Sequence, residues 1–331
     1  MDAPCTLLPN ELVCEIFMHF IPTYPLCPPL TGPESPTTLT HVCREWRAIA
    51  LAMPKLWRAI SLRFADASKV ETVRTWLDRS GANPLSIQME TENGYNHAWL
   101  SVDMVDAIFL HHHRWEYVKL VLVDSELALI APPMPILHSL SLEIDISMSD
   151  GGFPVISRID FPSLGVLSLR GFPVSVDWLP WSRLTSLTLE DMYPMHYISA
   201  LRESVNLIDL TLIDCGGNPL PPQDNLLLPR LETFTMAHTT LWIQLEFDFY
   251  LLPALRTLQV PGVYLGDQPI DFLASFISKS GCRLQRVFIT GPSRWILNEA
   301  EFRSAFLDIA AIEFDREYEW REVGEEEYYL I

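Results

Sequence analysis

The chain has 331 residues, 49% of them hydrophobic and 20% charged, which is the balance of a folded globular protein with room for a large core. Forty-two acids against 23 bases leave a formal charge of −19, which argues against a phosphate-binding surface and so against nucleic acid as the partner. No apolar run reaches the roughly 18 to 20 residues of a membrane span, and no basic segment precedes the first apolar stretch as a secretory signal requires.

The stretch "LPNELVCEIFMHF", residues 8–20, predicts an amphipathic helix. Pro9 suits its first turn, and Glu11 suits the positive end of the helix dipole. Leu12, Ile16 and Phe20 form an i, i+4 row with Val13 and Phe17 beside it. Residues 21–38 hold six prolines and predict a non-helical, mobile insertion. A second amphipathic helix is expected over residues 39–50, with Leu39, Val42, Trp46, Ile49 and Ala50 on one face and Met53-Pro54 as its stop. "PKLWRAISL" then leads into the rest of the chain.

Beyond residue 56 one template recurs: an apolar residue, two others, an apolar, any residue, an apolar. Its first positions are Trp57, Ala82, Trp115, Leu137, Leu164, Leu184, Leu207, Leu231, Leu255, Leu284 and Ile309. Most spacings fall in the range of about 20 to 29 residues that leucine-rich repeats show. The seven copies from Leu137 to Leu284 are clear, while Trp57, Ala82, Trp115 and Ile309 begin looser ones. Residues two apart share a strand face, so Leu140/Leu142, Leu167/Leu169, Leu187/Leu189 and Leu210/Leu212 point to one side. A single strand cannot bury such a face, but parallel neighbours can merge their leucines into one core. Pro135, Pro162, Pro229 and Pro253 each precede a copy, where no ladder hydrogen bond is needed.

Helical periodicity marks four connections: Val70/Val73/Trp76/Leu77 before Ser80-Gly81, Val102/Val105/Ile108/Phe109, Ile270/Leu273/Phe276/Ile277 before Gly281, and Phe302/Ala305/Phe306/Ile309. The middle connections, such as "CGGNPLPPQDNLLLP", read as irregular. The expected fold is α/β: a small helical domain at 1–60 and a leucine-rich-repeat solenoid at 61–331, with the parallel sheet concave and mixed helices and loops convex. The segment 313–331, with eight acids against two bases, suggests a last edge strand blunted by charge, or an acidic tail.

"LPNELVCEIF", "VCREWRAIA" and "PKLWRAISL" together resemble an F-box, most closely the divergent F-box-like domains of fungal proteins, and F-boxes followed by leucine-rich repeats recur in that family. The resemblance covers about the first 60 residues, and the proline-rich insertion takes the place of the usual tight link. It implies a substrate-recognition subunit of a cullin–RING ubiquitin ligase, whose short helices dock on a Skp-type adaptor. Leu8, Pro9, Leu12, Ile16, Phe17, Val42, Cys43 and Trp46 fall on the motif positions that this docking implies. The repeats would then bind a protein substrate. The other reading is a repeat scaffold with no ligase role, its first helices capping the solenoid.

Residues between the inward pairs should face outward: Ser61, Ser86, Lys119, Ser141, Ser168, Thr188, Thr211, Thr235 and Gln259. Glu143, Arg170, Glu190 and Asp209 flank this row, with Tyr193, His238 and Trp242 nearby, and these seven are the candidate substrate contacts. No enzyme is expected, because no nucleophile elbow, phosphate loop or dinucleotide fingerprint occurs. No metal or other cofactor is expected either. Three successive histidines, His111 to His113, diverge around a helix rather than converge on an ion, and the six cysteines lack paired spacing. Reduced thiols and the absence of Asn-x-Ser/Thr sequons point to cytoplasm or nucleus.

Overall fold

A computed structural model describes residues 8–63, 66, 68–90, 101–123, 133–145, 161–171, 179–216, 225–237, 249–291 and 299–315. The chain divides into two compact units, residues 1–164 and 165–331, so the helices of the first 60 residues share a unit with the first strands.

In the first unit, α1 (Asn10–Phe20), α2 (Pro36–Leu39) and α3 (Arg44–Leu51) form the helical start. The helix expected over residues 39–50 is therefore two helices. Ser35 caps α2 by accepting from the Thr37 amide, and Cys43 restarts the chain as the N-cap of α3, its sulfur accepting from the Trp46 amide at 3.4 Å. Val42 sits in the turn between them. A 3-10 turn at Pro54–Trp57 buries Leu56 and Trp57 completely. The Trp57 indole donates to Ala50 O at 2.9 Å and its ring meets Trp76 edge-on at 5.0 Å, joining the front helices to the strand-bearing part of the unit.

Then come β1 (Ala59–Arg63), α4 (Val70–Arg79), β2 (Leu85–Glu90), α5 (Val102–Phe109), β3 (Trp115–Val123) and β4 (Ser139–Asp145). The four strands are parallel neighbours in chain order. Val73, Trp76 and Leu77 on α4 and Val105, Ile108 and Phe109 on α5 are buried, whereas Val102, expected on that face, is 76% exposed. The copy starting at Ala82 is out of register by two residues. Ile60 pairs with Ile87 and Leu62 with Met89, so the inward pair is Ile87/Met89 and the outward residue is Gln88 rather than Ser86. Leu85 is buried as well, and alternation alone cannot choose between 85/87 and 87/89; only pairing with β1 does.

The proline-rich stretch is no loose insertion. Ser61 N donates to Pro28 O at 2.8 Å, and Pro29 forms a parallel bridge with Ser61 beside β1. Tyr24 Oη donates to Glu116 Oε2 at 2.6 Å, Arg58 lies 3.9 Å over the Tyr24 ring, and Ser86 Oγ donates to Pro25 O at 2.6 Å. Leu30 and Ile21 are buried. Residues 21–38 thus act as a strap across the first strands, which is why Ser61 and Ser86, expected to face solvent, are almost fully buried. Proline removes a donor, but the segment's carbonyls remain free to accept from the strands.

The second unit runs β5 (Val166–Arg170), β6 (Ser186–Glu190), α6 (Pro194–Glu203), β7 (Asp209–Ile213), β8 (Leu226–Leu227), β9 (Thr233–Ala237), β10 (Tyr250–Leu251), β11 (Thr257–Pro261), α7 (Pro269–Ser280), β12 (Arg286–Thr290), α8 (Glu299–Ala305) and β13 (Ala311–Asp315). Its main sheet is parallel in the order β5-β6-β7-β9-β11-β12-β13, and β8 pairs with β10 separately. Inward residues align strand by strand: Leu167, Leu187, Leu210, Phe234, Leu258, Val287 and Ile312. All seven are buried, and the looser copy at Ile309 pairs in register with the rest. Two connections differ from expectation. The helix α6 buries Tyr197, Ala200 and Leu201 where no helix was predicted, and α8 ends at Ala305 with Phe302 alone buried. Helix α7 stops as expected, at Gly281 in the left-handed region (φ 66°). Residues 316–331 and most of "CGGNPLPPQDNLLLP" lie outside the described residues.

Candidate functional site

Helix α1 has two apolar sides, and they meet different surroundings. Val13 and Phe17 are buried, and the Phe17 ring meets Trp46 of α3 edge-on at 5.0 Å. Leu8, Leu12 and Ile16, one i, i+4 row away, remain 43%, 52% and 42% exposed, and Val42 in the turn before α3 is 51% exposed. Pro9 is exposed at the N-cap, its carbonyl accepting from the amides of Leu12 (3.0 Å) and Val13 (3.2 Å). Helix α1 thus leaves an apolar row open to solvent beside its buried face.

The eight residues singled out for docking therefore split into two groups. Leu8, Pro9, Leu12, Ile16 and Val42 reach the surface. Phe17 does not; with no exposed area it is core, and it braces α1 on α3. Cys43 and Trp46 are half-buried, the first as the α3 cap and the second as the partner of Phe17.

These surface residues lie in a segment with a family. Residues 5–63 match the F-box-like family. The chain carries an F-box-like domain. F-box domains as a class bind Skp-type adaptors, and the open row on α1 belongs to the matched segment. No curated protein matches the chain.

The sheet carries the second set of candidates. In the first unit the outward row is Ser61, Gln88, Lys119 and Ser141, with half-buried Glu143 two residues further along β4. In the second unit Ser168, Thr188, Thr211, Thr235 and Gln259 align in one row, followed by Phe288 and Glu313. Arg170 and Glu190 are register partners and pair with each other, Nε to Oε1 at 3.5 Å. Asp209 is exposed at the start of β7, and Tyr193, 58% exposed, stacks edge-on with His196 just before and within α6. The structure thus brings Arg170 and Glu190 together; His238 and Trp242 lie outside the described residues.

The histidine run is a structural junction. Arg114, almost wholly buried, donates to Gly81 O, to Asn83 O at 3.1 Å and to Leu77 O at 3.3 Å, closing the carboxyl end of α4. Its Nη2 lies 3.1 Å from His111 Nδ1, and burial followed by this guanidinium lowers the His111 pKa. A neutral His111 then accepts at Nδ1 and carries its proton on Nε2. Among the described residues no group of three or more His, Cys, Asp or Glu is placed to hold a metal ion. No helix among them is long and apolar enough to cross a membrane.

Sequence reasoning missed the clamp of Tyr24, Arg58, Ser86 and Glu116. A tyrosine in the proline-rich stretch was its one local sign, since the partners lie up to 92 residues away.

Proposed function

We propose that the chain is a substrate receptor of a cullin–RING ubiquitin ligase, its F-box-like domain docking on a Skp-type adaptor and its leucine-rich repeats holding a protein substrate. The observation that carries this reading is the open row of Leu8, Leu12 and Ile16 inside a segment that matches the F-box-like family. If the front helices only capped a repeat core, their apolar row would be covered by that core; here Val13 and Phe17 face inward and the row faces out. The repeat spacing and the in-register parallel strands support the leucine-rich-repeat assignment. In this role the chain performs no chemistry. It raises the effective concentration of a substrate near a ubiquitin carrier, in cytoplasm or nucleus.

The test is capture of a purified Skp-type adaptor by the full-length chain, comparing wild type with a Leu12→Asp/Ile16→Asp variant whose folding is checked by circular dichroism. Wild type should retain the adaptor and the folded variant should lose it, because buried anchors contribute about 2 kcal/mol or more each. A folded wild-type chain that captures no adaptor would refute the proposal.

A further inference from the structure

In residues 165–331 the amino-terminal ends of the strands carry a pattern that core packing does not explain. Apart from Ala254 ahead of β11 and Asp308 ahead of β13, the residue just before the first apolar position of a repeat is Arg183 ahead of β6, Asn206 ahead of β7, Arg230 ahead of β9 and Arg283 ahead of β12. They form a row in space as well. Asn206 Nδ2 donates to Ser182 O at 2.7 Å, and Arg230 Nη1 donates to Asn206 Oδ1 at 3.0 Å. Arg256 and Arg286 lie on the same edge, and all five arginines are exposed. Arg256 pairs with Glu232 at 3.8 Å, but among the described residues no carboxylate pairs with Arg183, Arg230, Arg283 or Arg286. Asp209 and Asp308 are the other acids of this edge. In a chain of charge −19, an edge that carries five exposed arginines beside three acids is a local reversal of the overall charge, suited to an acidic ligand.

The first unit shows what such an edge can hold. There the strap crosses the same ends of β1, β2 and β3, gripped by the side chains of Arg58, Ser86 and Glu116 beside one backbone bridge to Ser61 of β1. Arg183, Arg230 and Arg283 stand on every second strand of the second unit, so their stems start about 9.6 Å apart at a strand spacing of about 4.8 Å. A polyproline II segment advances about 9.3 Å in three residues, which brings side chains i, i+3 and i+6 to successive arginines. Carboxylates fit better than phosphates, because the arginines are spread singly rather than gathered round one dianion.

We propose that this edge binds an extended, polyproline-II-like segment of a partner protein with carboxylate side chains at every third position. The inference rests on the substrate-receptor reading and names what the receptor recognises.

The probe is a fluorescein-labelled peptide of four Glu-Pro-Ser triplets, titrated with the full-length chain and read by anisotropy. An isomer with its four glutamates contiguous controls for spacing, and a version with phosphoserine replacing one glutamate controls for phosphate. The triplet peptide should bind best, and R183Q/R230Q/R283Q should weaken it at least about tenfold while leaving the thermal melt unchanged. The reversed variant, R183E/R230E/R283E, should instead prefer a Lys-Pro-Ser peptide. Equal binding of the two glutamate isomers, preference for the phosphopeptide, or no loss in the glutamine variant would overturn the proposal. Adaptor capture by wild type, run in parallel, separates this failure from that of the receptor reading.

Discussion

Phe17→Ala and Leu12→Ala, five residues apart on α1, should produce opposite phenotypes. Phe17 has no exposed area, and an aromatic side chain of its size buries about 150 to 200 Å². At about 25 cal/mol per Å² the loss is about 4 kcal/mol, inside the range of about 3 to 5 kcal/mol typical of Phe→Ala in cores. Part of that loss is the edge-on contact with Trp46 at 5.0 Å. Leu12 already exposes 52% of its area, so its truncation should change stability by less than about 1 kcal/mol, partly offset by the better helix propensity of alanine. Adaptor affinity should move the other way, Leu12→Ala weakening it by about 2 kcal/mol, or about 30-fold. Urea unfolding followed by tryptophan fluorescence reads the first quantity and calorimetric titration of a Skp-type adaptor the second. A Leu12→Ala chain that unfolds more than about 2 kcal/mol early, with Phe17→Ala near wild type, would show that the two faces have been assigned backwards.

Two further predictions address the strap and the core. Tyr24→Phe removes the 2.6 Å hydrogen bond to Glu116 while keeping the ring under Arg58; with the site half-buried it should cost about 1 kcal/mol of stability, seen as a lower urea midpoint. An unchanged midpoint would mean that the clamp contributes nothing. Stability should also fall at high pH: burial pushes the Cys215 thiol up to about 12 from its ordinary 9, and burial likewise raises the phenols of Tyr24, Tyr197 and Tyr250. The folded state favours the neutral forms, so this contribution is intact below about pH 9 and is lost as pH climbs toward 12, by about 1.4 kcal/mol per pH unit for each group. Urea midpoints at pH 8, 9.5 and 11 should decline, and less steeply in Cys215→Ala; a flat series would contradict the burial of these groups.

Much of the fold was legible because two-residue alternation is a local signal. Leu187/Leu189 and Leu210/Leu212 face inward as the template requires, and even the looser copies at Trp57, Trp115 and Ile309 lie in register. Gly281 likewise announces the end of α7, since a left-handed residue is cheapest as glycine. The errors have a common physical origin. Leu85 and Met89 are both apolar and both two residues from Ile87, so only the pairing with β1 selects the inward pair of β2. Helix α6 was hidden because its buried face is Pro194, Tyr197, Ala200 and Leu201, and a proline suits a helix start as well as a turn.

The proposed docking surface shows the same division. The chain's own pattern established that α1 is apolar on a broad arc and that its residues resemble an F-box. It could not say which part of that arc is covered, because periodicity specifies a helix face and not its neighbour. Packing of Phe17 on Trp46 decided this, leaving Leu8, Leu12 and Ile16 to the outside. Six prolines in residues 21–38 determined that this stretch would lack long helix; only tertiary contacts with Ser61, Ser86 and Glu116 made it a strap. Local chemistry restricts each segment's backbone, but the free energy that seats it comes from partners far along the chain.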